Sequence, residues 1–201
     1  MIEQLETERL IIRTYKDSDL PEYHKLLSDK RNMYFLDDIA TSSHEESQES
    51  LTNAIMMNSS GKARRLCITL KESGDDKLIG SVGYEVAATT PLGKIVDPMG
   101  WFIMPEFQNK GYVTEAVNRV LEFAFQQDDC VRVVTGCYSD NAPTQKVMDK
   151  TGFRKEGERI EAQYHDGKMK SRLEYAINRD EWEIQKEIAH FYFPSAICYN
   201  N

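Results

Sequence analysis

Apolar positions along the chain change period several times, and each change marks an element. Leu10, Ile11 and Ile12 ahead of Arg13 and Thr14 form a dense apolar run that predicts a strand over 10–14. Asp17 or Ser18 then stands as a helix cap, and Leu20, Tyr23, Leu26 and Leu27 recur at helical spacing. Residues 29–43 show no period. Leu51, Ile55 and Met56 share one face of a second helix predicted from about His44 to Asn58. Strands follow over 64–71 and 78–88, joined by the turn Glu72-Ser73-Gly74-Asp75-Asp76, and a third over 99–104.

The clearest helix comes next. Ala116, Val117, Val120, Leu121, Ala124 and Phe125 make a continuous apolar stripe on a helix of about four turns, and such a stripe is core. Residues 131–138 predict a strand. Ser139-Asp140-Asn141 leads into a short helix that Gly152 closes. Two further strands over 153–163 and 169–177, linked by His165-Asp166-Gly167, form a hairpin, and a terminal helix is predicted over 180–191. This order predicts an α/β fold with a mixed sheet and one parallel crossover about the long helix.

Composition narrows the class. With 201 residues, 40% of them apolar, the chain is long enough for one globular domain with a sizeable core. It carries no run of about twenty apolar residues to span a bilayer, and its acidic start, MIEQLETERL, is unlike a secretory signal, so a cytoplasmic protein with no membrane partner is expected. Cys67, Cys130, Cys137 and Cys198 lack C-x-x-C pairing and sit mostly in apolar runs, as buried free thiols do. His24, His44, His165 and His190 are scattered, so no metal is expected. The formal charge of −8 argues against nucleic acid as a partner and weakly favours cationic acceptors.

Candidate chemistry gathers at Gln108-Asn109-Lys110-Gly111-Tyr112-Val113-Thr114, between a predicted strand and the long helix. Gly111 can adopt angles closed to other residues, so the loop can turn several N–H groups toward one point at the positive end of the helix. Such a cradle suits a diphosphate. Neither G-x-G-x-x-G nor G-x-x-x-x-G-K-[ST] is present, and the same residues also suit a plain strand-to-helix turn with a solvated Lys110.

From about Lys94 to Trp182 the chain resembles the cofactor half of the GNAT superfamily of N-acetyltransferases, most closely the RimJ/RimL-like branch. The resemblance rests on MGWFIMPEFQNKGYVTEAV, RVVTGCYSDNAPTQKVMDKTGFRKEG and DGKMKSRLEYAINRDEW, in family order and spacing. ETERLIIRTYKDSDL looks like the family's opening strand and first helix, so the likeness spans most of 1–182, weakly over 29–77, with 183–201 a carboxyl-terminal helix and tail extension. The resemblance implies a mixed sheet of six to seven strands flanked by helices, with the Phe102 and Val133 strands splayed at their carboxyl ends. It implies acetyl-CoA as acyl donor, its pantetheine arm bonding the splayed strand. The acceptor is a primary amine attacking directly in a ternary complex, first a protein or peptide N-terminal α-amine, alternatively a small amine or antibiotic. A non-catalytic acyl-CoA-binding module is a further alternative, and the chain is a monomer or a homodimer.

The resemblance also carries roles residue by residue. Backbone N–H groups near Phe102, Ile103 and Met104 meet the acyl oxygen. Gln108 to Thr114 hold the diphosphate mainly through main chain, with Val113 standing where a small residue is usual. Asn141 and Thr144 match an N-x-x-[ST] pattern in which Asn141 bonds the pantetheine or acyl region and the Thr144 hydroxyl serves the leaving thiolate. Asn141 before Pro143 is equally a good helix cap. Lys146, with Lys150 one turn on, can reach the 3′-phosphate or simply be solvated. Met148 stands where many members carry a Tyr acid, and Pro98 where a Glu is common. Glu85 and Asp97 are then the candidate bases, each also readable as a surface carboxylate.

Overall fold

Residues 4–36 and 39–192 are described by the computed structural model of the chain. Strands β1 (Gln4–Glu6), β2 (Leu10–Thr14), β3 (Ala63–Leu70), β4 (Leu78–Thr90), β5 (Gly93–Ile103), β6 (Cys130–Tyr138), β7 (Arg154–His165) and β8 (Lys168–Asn178) form one sheet in the order β1-β2-β3-β4-β5-β6-β8-β7. Helices α1 (Leu20–Ser28), α2 (His44–Ser60), α3 (Tyr112–Gln126), α4 (Ala142–Lys150) and α5 (Arg179–Tyr192) complete the chain. The α/β class and the parallel crossover from β5 through α3 to β6 are as expected. The sheet has eight strands rather than six to seven. The added strand, β1, pairs Gln4–Glu6 with Ile11–Arg13 and is too short to show a period in the sequence.

Contacts divide the chain into two compact units, Met1–Glu85 with Gly100–Val120, and Val86–Met99 with Leu121–Asn201. In the first, Tyr15, Tyr23, Leu26, Leu27, Leu51 and Ala54 build a core under α1 and α2. The expected cap of α1 is displaced: residues 17–19 form a 3₁₀ turn, and α1 starts at Leu20. Asp19 explains the shift, because its buried carboxylate takes two bonds from Arg13 (2.9 and 2.8 Å) and one from the Lys16 N–H (2.8 Å). Arg13 also reaches Asp76, so one buried guanidinium ties β2 to the start of α1 and to the turn before β4. Ser43 and Glu46 form the capping box that opens α2, and Gly61 ends it at φ 74°.

In the second unit β5 begins at Gly93, six residues before its predicted start, since its only apolar pair there, Ile95-Val96, is flanked by Lys94 and by Asp97-Pro98 and is too short to show a run. The Lys94 ammonium meets the buried Asp128 at 2.7 Å. Trp182 of α5 packs against Phe125 with ring centroids 5.5 Å apart. The β7–β8 hairpin carries a bulge: Arg159 pairs with Arg172 and Gln163 with Lys170, so residues 160–162 face only Ser171. Cys67, Cys130 and Cys137 are buried free thiols; Cys198 and the rest of the tail over 193–201 lie outside the described residues. No helix among the described residues is long and apolar enough to cross a membrane.

Candidate active site

The loop after β5 is built almost entirely from main-chain bonds. The Met104 N–H donates to Ile79 O (2.9 Å), so of the three amides implied for the acyl oxygen this one is committed to β4. The Met104 side chain lies in the core, and Phe102 and Phe107 pack on it. Pro105–Phe107 form a 3₁₀ turn that the Gln108 N–H closes on Pro105 O (3.2 Å), while Gln108 Nε2 reaches back to Ile103 O (3.2 Å). Gln108 therefore staples the loop to its strand. Asn109 (φ 60°) and Gly111 (φ 83°) are left-handed, a conformation Asn tolerates and Gly adopts without strain. Glu115 N–H then donates to Gly111 O (3.0 Å) and the helix has begun. Among the described residues no side chain accepts from the N–H of Tyr112, Val113 or Thr114. These amides, at the positive end of a fifteen-residue helix beside two left-handed residues, fit an anionic diphosphate.

Arg9, from the turn between β1 and β2, closes the back of this loop. Its Nε and Nη2 hold Glu115 Oε2 at 2.7 and 2.6 Å, and Nη1 donates to Lys110 O at 2.9 Å. The guanidinium also lies 4.6 Å from the centre of the Tyr112 ring. The Thr7 hydroxyl (2.5 Å) and the Arg9 N–H (3.0 Å) complete the grip on Glu115. Burial alone would raise the Glu115 pKa, but the bonds from Thr7 and Arg9 outweigh it and hold the carboxyl below its ordinary value. Lys110 extends over the Phe107 ring, 5.5 Å from its centre.

The first unit also places Glu85, at the end of its part of β4, in an ion pair with Arg65, which engages one carboxylate oxygen, Oε1. In the second unit the parallel ladder pairs Lys94 with Cys130, Ile95 with Arg132 and Val96 with Val133; no further β5–β6 pair is formed among the described residues, although both strands run on. Pro98 has no N–H to extend it. Beyond that point the buried Thr135 hydroxyl donates to Met99 O (2.8 Å), a side chain doing what the ladder no longer does. Asp97 lies where the ladder stops and is exposed.

At the start of α4 the Asn141 side-chain oxygen accepts from the Thr144 N–H (3.3 Å), so the capping role is present. Asn141 and Thr144 are half-buried, Lys146 is exposed, and Met148 is fully buried in the core. Met148 therefore presents no group to a ligand. Arg9, Glu115, Arg65 and Thr135 were not among the residues expected from sequence. Each acts through a partner distant along the chain, and no local pattern signals it.

Residues 9–154 match the family model described as the acetyltransferase (GNAT) domain. The chain belongs to the GNAT acetyltransferases. It is 28% identical over 176 residues to the uncharacterized N-acetyltransferase YnaD of Bacillus subtilis (strain 168), covering 88% of this chain and 97% of that protein. In fold it is similar to the RimL ribosomal alpha-N-protein acetyltransferase in complex with CoA, with a TM-score of 0.77, 22% identity, and 89% and 99% of the two chains covered. A similar likeness, TM-score 0.75 at 20% identity over 88% and 99% of the chains, holds for the spermidine N-acetyltransferase of Vibrio cholerae in complex with CoA and spermine. As a GNAT member the chain is an acetyl-CoA-dependent N-acetyltransferase, and the cradle before α3 fits the diphosphate of that donor.

Proposed function

We propose that this GNAT enzyme acetylates a protein or peptide N-terminal α-amine, the amine attacking the thioester directly in a ternary complex. The Arg65–Glu85 ion pair carries the choice of acceptor. With Glu85 held by a guanidinium, and with Pro98 where many members place a Glu, the acceptor needing least deprotonation is favoured. An α-amine at ~8 is partly neutral at physiological pH, whereas a Lys ε-amine at ~10.4 costs roughly 3 kcal/mol more to neutralise. The fold likeness to a ribosomal alpha-N-protein acetyltransferase supports the same reading.

Bound acetyl-CoA supplies an activated acyl group and a thiol leaving group. The amides from Gly111 to Thr114 bind its diphosphate, and main-chain groups of β5 beyond the last β5–β6 pair, Val96 with Val133, bond its pantetheine amides. The N–H groups of Phe102 and Ile103 face the acyl oxygen. Asn141 has an amide N–H left for the donor while its oxygen caps α4, and the Thr144 hydroxyl donates to the leaving sulfur. Asp97 relays a proton from the amine through water, and Lys146 reaches the 3′-phosphate. Residues 1–182 form the acetyltransferase domain, 183–201 an extension, and the protein acts in the cytoplasm.

A polyamine acceptor is the second reading, favoured by the fold likeness to a spermidine acetyltransferase and by the charge of −8. Mass spectrometry of acetylated products, with thiol release, over peptides with free N-termini, Lys-only peptides and spermidine separates the two. The α-amine peptides are expected to show kcat/KM about tenfold or more above the others. A preference for spermidine reverses the assignment.

A further inference from the structure

We infer that Arg9 is a positioning residue for the cofactor: it aims the diphosphate-binding amides by gripping the opposite edge of the same peptide unit. This rests on the reading of the 108–114 loop as the diphosphate site. In a trans peptide the C=O and the following N–H point to opposite sides of one rigid plane. Arg9 Nη1 holds Lys110 O at 2.9 Å, so the Gly111 N–H, on the other side of that plane, is turned away from Arg9. Lys110 and Gly111 stand between a left-handed Asn109 and the first turn of α3, where a rotation of one plane redirects the whole set of donors.

Two further contacts fit the role. A Cβ on Gly111 would lie 3.3 Å from Arg9 Nη2, so the guanidinium is packed against the back of the loop. Arg9 also pairs with Glu115, whose carboxylate sits in the first turn of α3 and, left unpaired, would repel a diphosphate at the same helix end. One cation thus orients an amide and neutralises a competing anion. Lysine can keep the second interaction, but its single ammonium cannot reproduce the planar fork that spans Glu115 and Lys110 O while lying over Tyr112.

The test uses the full chain with Arg9→Lys and Arg9→Met. Calorimetric titration with CoA is expected to show about tenfold weaker binding in both, the size of one well-aimed amide donor to a charged group. KM for acetyl-CoA rises by the same factor while kcat stays within about twofold. The kcat/KM for S-acetylpantetheine, which lacks the diphosphate, is unchanged, and Arg9→Lys melts within about 2 °C of the parent. Arg9→Lys carries the test if Arg9→Met fails to fold. Parental CoA affinity in a well-folded Arg9→Lys, or an equal loss with both donors, overturns the inference and leaves the acetyl-CoA reading standing. A parent chain that itself binds no CoA brings down the reading of the loop.

Discussion

Two helices of this protein begin in opposite ways. At α4 the Asn141 side chain accepts from the Thr144 N–H and Pro143 occupies the first turn, so the helix end is largely served from within the chain. At α3 no side chain among the described residues serves the first-turn amides, and two left-handed residues stand just before them. Both ends carry the same positive partial charge. What separates a structural terminus from an anion site is therefore the fate of the orphan donors. Behind the α3 end Arg9 bonds Glu115 and Lys110 O, and on the proposed reading its front takes the diphosphate.

Breaking the α3 end should give the largest effect. Gly111→Val forces a branched side chain into φ 83° against Arg9, and CoA binding by calorimetry is expected to weaken on the order of 10–100-fold. At α4, Thr144→Val removes the hydroxyl proposed to serve the thiolate; kcat should fall about tenfold with little change in KM for acetyl-CoA. An unchanged kcat would leave Thr144 as a helix residue alone. Asn141→Ala should cost about 1 kcal/mol through the lost cap, seen as a melting point about 2–4 °C lower, whereas Asn141→Ser keeps both cap and melting point. If Asn141→Ser also keeps KM for acetyl-CoA, Asn141 is a cap and nothing more.

The smallest effect sharpens the comparison through pH. Glu115 has a folded pKa below its ordinary 4.5, so the stability it contributes is fully present above that value and is lost as pH falls through the lowered one. Thermal melts of the ligand-free chain between pH 6 and pH 3 should show a shallower acid decline in Arg9→Met than in the parent, because the substitution removes part of the depression. Parallel curves would mean that Arg9 does not hold the Glu115 charge.

Features encoded within a few residues were legible in the sequence. The stripe from Ala116 to Phe125 defined α3, Gly111 marked the left-handed turn before it, and Asn141 before Pro143 announced the α4 cap. Features made by partners far apart were not. Arg9 and Glu115 are separated by 106 positions, and neither carries a local signal that they meet. Glu85 reads as a possible base from its place on the strand, but its ion pair with Arg65, on the neighbouring strand, has no local signal. Asp17 and Ser18 have good capping chemistry, yet the Arg13–Asp19 pair moved the start of α1 past them. Thr135 looks like any strand residue in the sequence, and its bond to Met99 O joins positions 36 apart on two strands.

The hairpin bulge bears on how the molecule behaves in a crowded solution. β7 stands last in the strand order, and a long straight border of unpaired N–H and C=O groups invites another chain to add itself. Here the border is broken: residues 160–162 loop out against Ser171 alone, and Glu161 takes a left-handed turn. Arg154, Lys155, Glu156, Glu158 and Arg159 stud the stretch before it with charges of both signs. An arriving strand would have to match an irregular register and desolvate ions, so growth of the sheet from one molecule into the next is discouraged at its most exposed margin.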